Sequence, residues 1–281
     1  MAPVVAAGNS SAWDRVGFWS PNTASVDWCE SNYAVSFYIA EFWNTISNVV
    51  CILAATLAYF SFPGTERRFQ FLFATFGLVG LGSTLFHGTL RHKMQLLDEL
   101  PMLYSATMIL FILVEAKYGP RGKWFPIVLA AWIATTTFIF SITGGQLQFY
   151  TFQSTYTALQ FGMIYLLRVL HVQQRSIHGP NPAVSMLIRR AFASGFFAIT
   201  IWLIDLRLCE WINGVGPRSL LKWNPQLHAW WHVFSACALY HATMIIIFYH
   251  FDVHGQRPYV DQVCGYIPVI RLLKPKGKLI R

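Results

Sequence analysis

Seven apolar runs, each long enough to cross a bilayer in about 20 residues, constrain this 281-residue chain more than any other feature. They lie at roughly residues 34–60, 69–88, 97–115, 124–142, 147–169, 190–210 and 226–249. Turn-forming stretches such as PGTERR, KYGPRGK and HGPNP separate them. The sequence therefore predicts an all-α membrane protein, a seven-transmembrane helix bundle over residues 34–250. We expect a tail at 1–33 before it and a basic tail at 251–281 after it.

Composition supports a membrane protein. Hydrophobic residues make up 55% of the chain and charged residues 12%, against about a quarter charged in soluble domains. The net charge of +9 comes from cations between the apolar runs and in the C-terminal tail. Anionic lipid headgroups are the expected partner there, since no nucleic-acid motif is present. The first residues lack a basic start followed by an apolar core, so we expect no cleaved signal peptide and expect the first membrane helix to target the chain.

The distribution of lysine and arginine predicts the orientation of the bundle. With seven crossings, fifteen of these residues fall on the side of the C-terminus and five on the side of the N-terminus. Basic residues are enriched in cytosolic loops. The sequence therefore predicts a lumenal N-terminus and a cytosolic C-terminus.

Polar residues interrupt the apolar pattern at Gly82–Pro101, GSTLFHGTLRHKMQLLDELP. Ser83 and His87 are four residues apart and share a helix face, and Asp98 begins the next apolar run. Small residues such as Ser83 also occur where membrane helices approach closely. Asp98 also fits a simple acidic helix start. The functional interpretation is that these side chains converge at the mouth of a helical hairpin.

His228 and His232, in HAWWH, have the same four-residue spacing and open the last apolar run on the predicted lumenal side. Three imidazoles form a zinc site that leaves one position for a water, whose pKa falls to about 7. The sequence thus predicts zinc at His87, His228 and His232. A pair of interfacial histidines is the alternative, and His92 in the intervening turn remains a possible substitute ligand.

A second group of oxygen donors lies in the N-terminal segment DWCESN, with Glu41 in the first apolar run. Oxygen ligands suit Ca²⁺, and a carboxylate within a membrane segment is costly unless it is paired. Asp27 and Glu30 also fit a solvated cap. For Glu41 the alternative is a salt bridge, with Asp205, Arg207 and Glu210 in the sixth run either supplying a partner or lining a polar entrance.

The five cysteines predict one disulfide. Cys51 and Cys237 lie within spanning runs and Cys264 in the cytosolic tail, which leaves Cys29 and Cys209 on the lumenal side. The lumen is oxidising, so we expect these two to pair. Two free thiols are the alternative.

The motifs DWCE, IAEFWNT, GSTLFH, MQLLDELP and HAWWH, in this order over about 230 residues, resemble the alkaline ceramidases, including the phytoceramidase branch. The resemblance implies residence in the endoplasmic reticulum or Golgi. It also implies zinc ligands at His87, His228 and His232 and catalytic roles for Ser83 and Asp98. The calcium ligands it implies are Asp27, Trp28 through its backbone carbonyl, Glu30, Asn32 and Glu41.

The resulting hypothesis is a zinc-dependent amide hydrolase that cleaves ceramide, dihydroceramide or phytoceramide with water to a sphingoid base and a free fatty acid. Asp98 would orient the attacking water and take its proton, and Ser83 would bond the developing oxyanion. The expected binding partners are the lipid substrate and the surrounding membrane lipids, and we expect no obligate protein partner. A seven-helix lipid receptor of the adiponectin or progestin type is the main alternative, and a diiron lipid hydroxylase is a weaker one.

Overall fold

The computed structural model describes residues 15–273, most of which are helical. The helices are α1 (Phe42–Ser47), α2 (Val49–Ser61), α3 (Arg67–Thr89), α4 (His92–Tyr118), α5 (Trp124–Ile142), α6 (Gly145–His178), α7 (Pro182–Ile212) and α8 (Leu227–Val253). A two-stranded antiparallel sheet follows, with β1 (Pro258–Val263) paired to β2 (Ile267–Leu272). The outer parts of the two predicted tails, residues 1–14 and 274–281, lie outside the described residues.

Six of the described helical segments are long and apolar enough to cross a membrane: α1 with α2, then α3, α4, α5, α7 and α8. Helix α6 coincides with the fifth predicted run and has 34 residues, a length of about 51 Å. Its many Gln, Ser and Thr side chains leave it too polar to count with the six. The structure confirms a helical membrane protein and leaves the seventh crossing as a prediction.

Local sequence sets where the helices begin and end. The Asn181 side chain accepts hydrogen bonds from the backbone N–H groups of Ala183 and Val184, at 3.1 and 3.2 Å, and Pro182 occupies the first turn of α7. Gly119 and Gly179 follow α4 and α6 with φ of 73° and 80°, a region that glycine enters without strain. These caps place the end of α6 at His178 and the start of α7 at Pro182, so both helices extend beyond the predicted runs 147–169 and 190–210.

Burial differs between the inner and outer helices. The main core is formed by α3, α4 and α8, with Phe69, Leu72, Ile112 and Met244 almost fully buried. Helices α5 and α7 instead expose large apolar side chains such as Phe192. Such exposed apolar faces mark contact with lipid in a membrane protein.

The first helix begins at Phe42 rather than near residue 34, as the first apolar run predicted. Residues before it are extended and run across the end of α3. The backbone N–H groups of Ala40 and Glu41 donate to the carbonyl oxygens of Gly88 and His87, at 3.0 and 2.9 Å. These contacts satisfy two carbonyls at the end of α3 and hold the segment out of the helix.

The chain after α8 folds back onto the bundle as a hairpin that the sequence did not predict. Val269 and Ile270 of β2 are buried, and the Tyr240 hydroxyl of α8 donates to the Pro268 carbonyl at 2.8 Å. The predicted basic tail at 251–281 thus begins as a packed element.

Candidate metal centre and catalytic pair

Three buried histidines meet at one end of the bundle. His87 lies in the last turn of α3, and His228 and His232 lie in the first two turns of α8. One ring nitrogen from each lies within 4.8 Å of the other two, and the ring centroids are 4.8 to 5.1 Å apart. Within residues 15–273 this is the only group of three or more histidine, cysteine or acidic residues that converges in this way. The arrangement fits a single metal ion.

The second nitrogens of two of these rings are held by other side chains. His87 Nδ1 bonds to the Glu41 carboxylate, and His232 Nδ1 lies 2.7 Å from the Ser47 hydroxyl oxygen. Such contacts orient metal-binding imidazoles and leave Nε2 for the ion. No sequence pattern singled out Ser47, because its role depends on how α1 packs against α8.

The third ring is held differently. The Trp28 indole stacks on the His228 imidazole with ring centroids 3.7 Å apart. Among the described residues, His228 Nδ1 is buried without a hydrogen-bond partner. An unsatisfied buried ring nitrogen is costly in a protein interior, and metal ligation by this imidazole would offset that cost. The donor set therefore fits a resident metal ion.

Ser83 and Asp98 face each other beside the contact of Gly82 in α3 with Leu97 in α4. The Ser83 hydroxyl interacts with the Asp98 carboxylate, and Ser83 lies one helical turn before His87. Proline at position 101 cannot donate to the Leu97 carbonyl, and this carbonyl packs directly on Gly82. A Cβ at position 82 would overlap the Leu97 oxygen. Gly82 therefore permits the helix contact that brings the pair together.

His92, the possible substitute ligand, and His241 lie apart from this cluster. His92 begins α4, where its backbone N–H bonds to the Thr23 hydroxyl at 3.0 Å, and its ring is not in the converging group. His241 Nδ1 bonds to the Cys237 carbonyl of its own helix. The structure thus gives no support to His92 as a substitute ligand.

The oxygen side chains of the N-terminal segment bond to one another and to the start of α1. Glu30 accepts the backbone N–H groups of Trp43 and Asn44, each at 2.8 Å, and so caps α1. Asn32 Nδ2 donates to both oxygens of Asp27, at 3.2 and 3.0 Å. Burial, together with the nearby charge of Glu41, raises the pKa of Glu30 to about 8.

Glu41 connects this segment to the histidines. Its carboxylate accepts the Trp28 backbone N–H and the Asn44 amide, both at 3.1 Å, as well as bonding to His87. No lysine or arginine of the described chain forms an ion pair with Glu41 or Glu30. The predicted salt-bridge alternative for Glu41 therefore has no lysine or arginine behind it, and its basic neighbour among the described residues is His87. The role of the Trp28 carbonyl as a ligand stays a prediction.

A disulfide fixes the segment to α7, as the sequence predicted. Cys29 bonds to Cys209 with Cα atoms 5.3 Å apart, and Cys51, Cys237 and Cys264 are free. Asp205 accepts the Cys29 backbone N–H at 3.2 Å. Asp205 thus anchors the tail and is not the partner of Glu41.

Sequence comparison decides the family. The ceramidase family profile matches residues 20–270. The chain belongs to the ceramidase family. It is 28% identical to mouse "Alkaline ceramidase 3" over 99% of this chain and 100% of that protein. It is 32% identical to an Arabidopsis thaliana "Alkaline ceramidase" over 92% and 96% of the two chains. Against the yeast "Alkaline ceramidase YPC1" it is 33% identical over 80% and 76%.

Membership of the ceramidase family confirms the resemblance drawn from the motifs and identifies the chain as a hydrolase of that family. It does not favour the receptor alternative. The ceramidase matches extend over the segment that carries Asp27 to Glu41 as well as over the helices. The converging side chains therefore all lie within the matched residues 20–270.

Proposed function

We propose that this protein is a zinc-dependent intramembrane hydrolase that cleaves the amide bond of ceramide-type lipids, releasing a sphingoid base and a free fatty acid. The observation that carries the proposal is the convergence of three buried imidazoles beside the Ser83–Asp98 pair in a chain of the ceramidase family. Zinc is the ion that three neutral imidazoles with one open position suit best.

His87, His228 and His232 would hold the zinc ion. When bound, zinc supplies Lewis acidity, which polarises the amide carbonyl and makes water nucleophilic near neutral pH. The chain contributes the orientation of the ligands. Glu41, Ser47 and Trp28 fix the three rings, so little reorganisation is needed when the substrate arrives.

Asp98 and Ser83 would carry out the proton transfers and the stabilisation of the oxyanion. Asp98 would orient the attacking water, accept its proton and then pass a proton to the departing amine of the sphingoid base. The Ser83 hydroxyl would donate a hydrogen bond to the substrate carbonyl oxygen as negative charge develops on it. The mutual contact of these two side chains before substrate binds keeps both in place.

A second ion, Ca²⁺, would bind at Asp27, Glu30, Asn32, Glu41 and the Trp28 carbonyl. Three carboxylates within one short segment, two of them buried, repel one another unless a cation is present. A hard divalent ion that prefers oxygen ligands would offset this repulsion. Because Glu41 also holds His87, calcium would stabilise the same wall of the zinc site.

The proposed setting is a seven-helix bundle in the endoplasmic reticulum or Golgi, with α6 as the additional crossing, the N-terminus lumenal and the C-terminus cytosolic. The disulfide between Cys29 and Cys209 supports the lumenal side for both residues. Membrane lipids would surround the exposed apolar faces of α5 and α7, and the lipid substrate would enter from the bilayer.

Hydrolysis by purified protein in detergent or lipid discs is the test. Ceramide, dihydroceramide and phytoceramide should be offered in parallel, and release of fatty acid measured before and after chelation of zinc and its restoration. Turnover that disappears with zinc and returns with it is the expected result. Lipid binding without turnover in the zinc-loaded protein would contradict the proposal and favour the receptor alternative.

A further inference from the structure

A second buried carboxylate lies next to Asp98. Glu99 is 7% exposed and takes no part in the proposed reaction. Successive helix residues point about 100° apart, so Glu99 points away from the direction of Asp98. A buried carboxylate destabilises the fold unless its oxygens are bonded. The contacts of Glu99 therefore indicate what it does.

Glu99 belongs to a closed ring of side-chain hydrogen bonds. Its two oxygens accept the amide groups of Gln95 and Gln148, at 2.7 and 3.0 Å. The carbonyl oxygens of the same two amides accept from Ser25, one from its backbone N–H at 2.6 Å and the other from its hydroxyl at 2.7 Å. Ser25 Oγ in turn accepts the Gly145 backbone N–H at 2.9 Å. Every member of this ring, Ser25, Gln95, Glu99 and Gln148, is buried.

The ring joins three parts of the chain. Gln95 and Glu99 lie in α4, Gln148 lies in the first turn of α6, and Ser25 lies in the extended segment before α1. The neighbouring backbone N–H groups of Thr23 and Ala24 both donate to the Leu90 carbonyl at 3.1 Å. The ring thus fixes the first two turns of α4 between α6 and the N-terminal segment.

This part of α4 needs such support. Pro101 removes the helix hydrogen bond that the Leu97 carbonyl would otherwise accept, and a helix bends most easily where a bond of its ladder is missing. The missing bond spans the residue that carries the proposed catalytic base. A small rotation of α4 at this level would move the Asp98 carboxylate relative to Ser83 and the histidines.

We propose that Glu99 is a positioning residue, which through Gln95, Gln148 and Ser25 fixes the rotation of α4 and so aims Asp98. This inference rests on the proposed function, because it assumes that Asp98 handles protons in amide hydrolysis. It assigns Glu99 no contact with the substrate. The ring acts by its pattern of donors and acceptors rather than by the charge of one position.

Two variants test whether the hydrogen-bond pattern of the ring or the charge at position 99 is what matters. Glu99→Gln places an amide donor against the amide donors of Gln95 and Gln148. If the Gln148 amide turns round to compensate, the Ser25 hydroxyl loses its acceptor, so at least one donor of the ring is left without a partner. The double variant Glu99→Gln with Gln148→Glu restores the pattern. The new amide at position 99 would then accept from Gln95 and donate to the new carboxylate at position 148, which would also accept from the Ser25 hydroxyl. Glu115→Gln is the matched control, since Glu115 also lies in α4 but pairs with Arg68 at 2.7 Å near the other end of that helix.

The assay measures kcat and KM for a ceramide substrate per zinc-loaded protein, with zinc content and thermal unfolding measured on the same samples. We expect Glu99→Gln to lower kcat by about tenfold to a hundredfold, the cost of a small misplacement of a catalytic group, with KM and zinc content unchanged. The double variant should recover most of that loss, and Glu115→Gln should match the wild type.

Three results would overturn the inference. Glu99→Gln could keep wild-type kcat, it could lose only zinc or folded protein, or the double variant could stay as slow as the single one. The last result would mean that the charge at position 99 itself is required. Failure of the proposed function looks different, because the wild-type protein would then hydrolyse none of the ceramides offered.

Discussion

Both ends of the bundle bury a histidine against a carboxylate, but among the described residues only one end brings three histidines together. His87 and Glu41 are 1% and 0% exposed and meet beside His228 and His232. At the other end His250 lies 3.2 Å from Glu66, which is 36% exposed, and the neighbouring His254 bonds to the His250 carbonyl. A buried histidine with an acidic partner therefore does not by itself indicate a metal site.

The difference lies in how many elements contribute. At the first end α3, α8, α1 and the N-terminal segment each place a side chain on the cluster, and the second nitrogens of two rings are occupied by hydrogen bonds. At the second end the pair joins α8 to the residue before α3, and among the described residues no third ligand converges on it. Convergence from separate elements, with the rings already oriented, is what distinguishes a site from a structural ion pair.

The largest expected effect distinguishes the two histidine–carboxylate pairs at the opposite ends of the bundle. His232→Ala removes one of three ligands, so both bound zinc and hydrolysis should be lost while the protein still inserts into membranes. His250→Ala, at the opposite end, should keep zinc and near-normal turnover. Metal analysis and ceramide hydrolysis on purified protein measure both. Full activity in His232→Ala would remove the zinc site from the proposal.

Asp98→Asn should separate catalysis from metal binding. The amide keeps the shape of the side chain but cannot accept a proton, so kcat should fall by about 10²-fold to 10⁴-fold with zinc content unchanged. Asp252→Asn, in the last turn of α8, serves as the control. If zinc is lost together with activity, Asp98 is a ligand rather than a base.

Gly82→Ala tests the helix contact beneath the catalytic pair. Its new methyl group would overlap the Leu97 carbonyl, so α3 and α4 must separate, at a cost of about 1–3 kcal/mol. We expect a lower midpoint of thermal unfolding and reduced kcat. Gly77→Ala is the matched control, because a Cβ there meets nothing within 4 Å. Equal behaviour of the two variants would show that the close approach is not required.

The sequence predicted the residues of this site better than the contacts that hold them in place. Apolar run length predicted the helices, and four-residue spacing predicted that His228 and His232 share a face, because both signals are local. The disulfide followed from which side of the membrane each cysteine occupies. Small residues around Ser83 also indicated a close helix contact, which the structure places at Gly82. Ser47 and the Glu99 ring were not predicted, since their contacts join residues far apart in sequence. The hairpin at Pro258–Leu272 is local in sequence. It was missed because its segment was interpreted from its charge as a basic tail.

The smallest expected effect concerns calcium and pH. Without a cation, the folded protein raises the pKa of Glu30 from 4.5 to about 8, so folded protein binds this proton more tightly than unfolded protein does. Stability from this group is therefore complete below pH 4.5 and declines as pH rises towards 8. Bound calcium would favour the ionised carboxylate and remove that decline.

We therefore expect added Ca²⁺ to raise the midpoint of thermal unfolding more at pH 8 than at pH 5. For a chain of this size, 1 kcal/mol of stability shifts that midpoint by roughly 2–4 °C. Glu30→Gln should abolish most of this pH-dependent difference, because the amide does not titrate. Glu210→Gln is the control and should keep the difference, since Glu210 pairs with Arg218 in an exposed position. Scanning fluorimetry in chelator and in calcium at both pH values measures the effect. A calcium response of equal size at both pH values in the wild type would mean that Glu30 does not bind the ion as a carboxylate, and the proposed ligand set would have to be revised around Asp27 and Glu41.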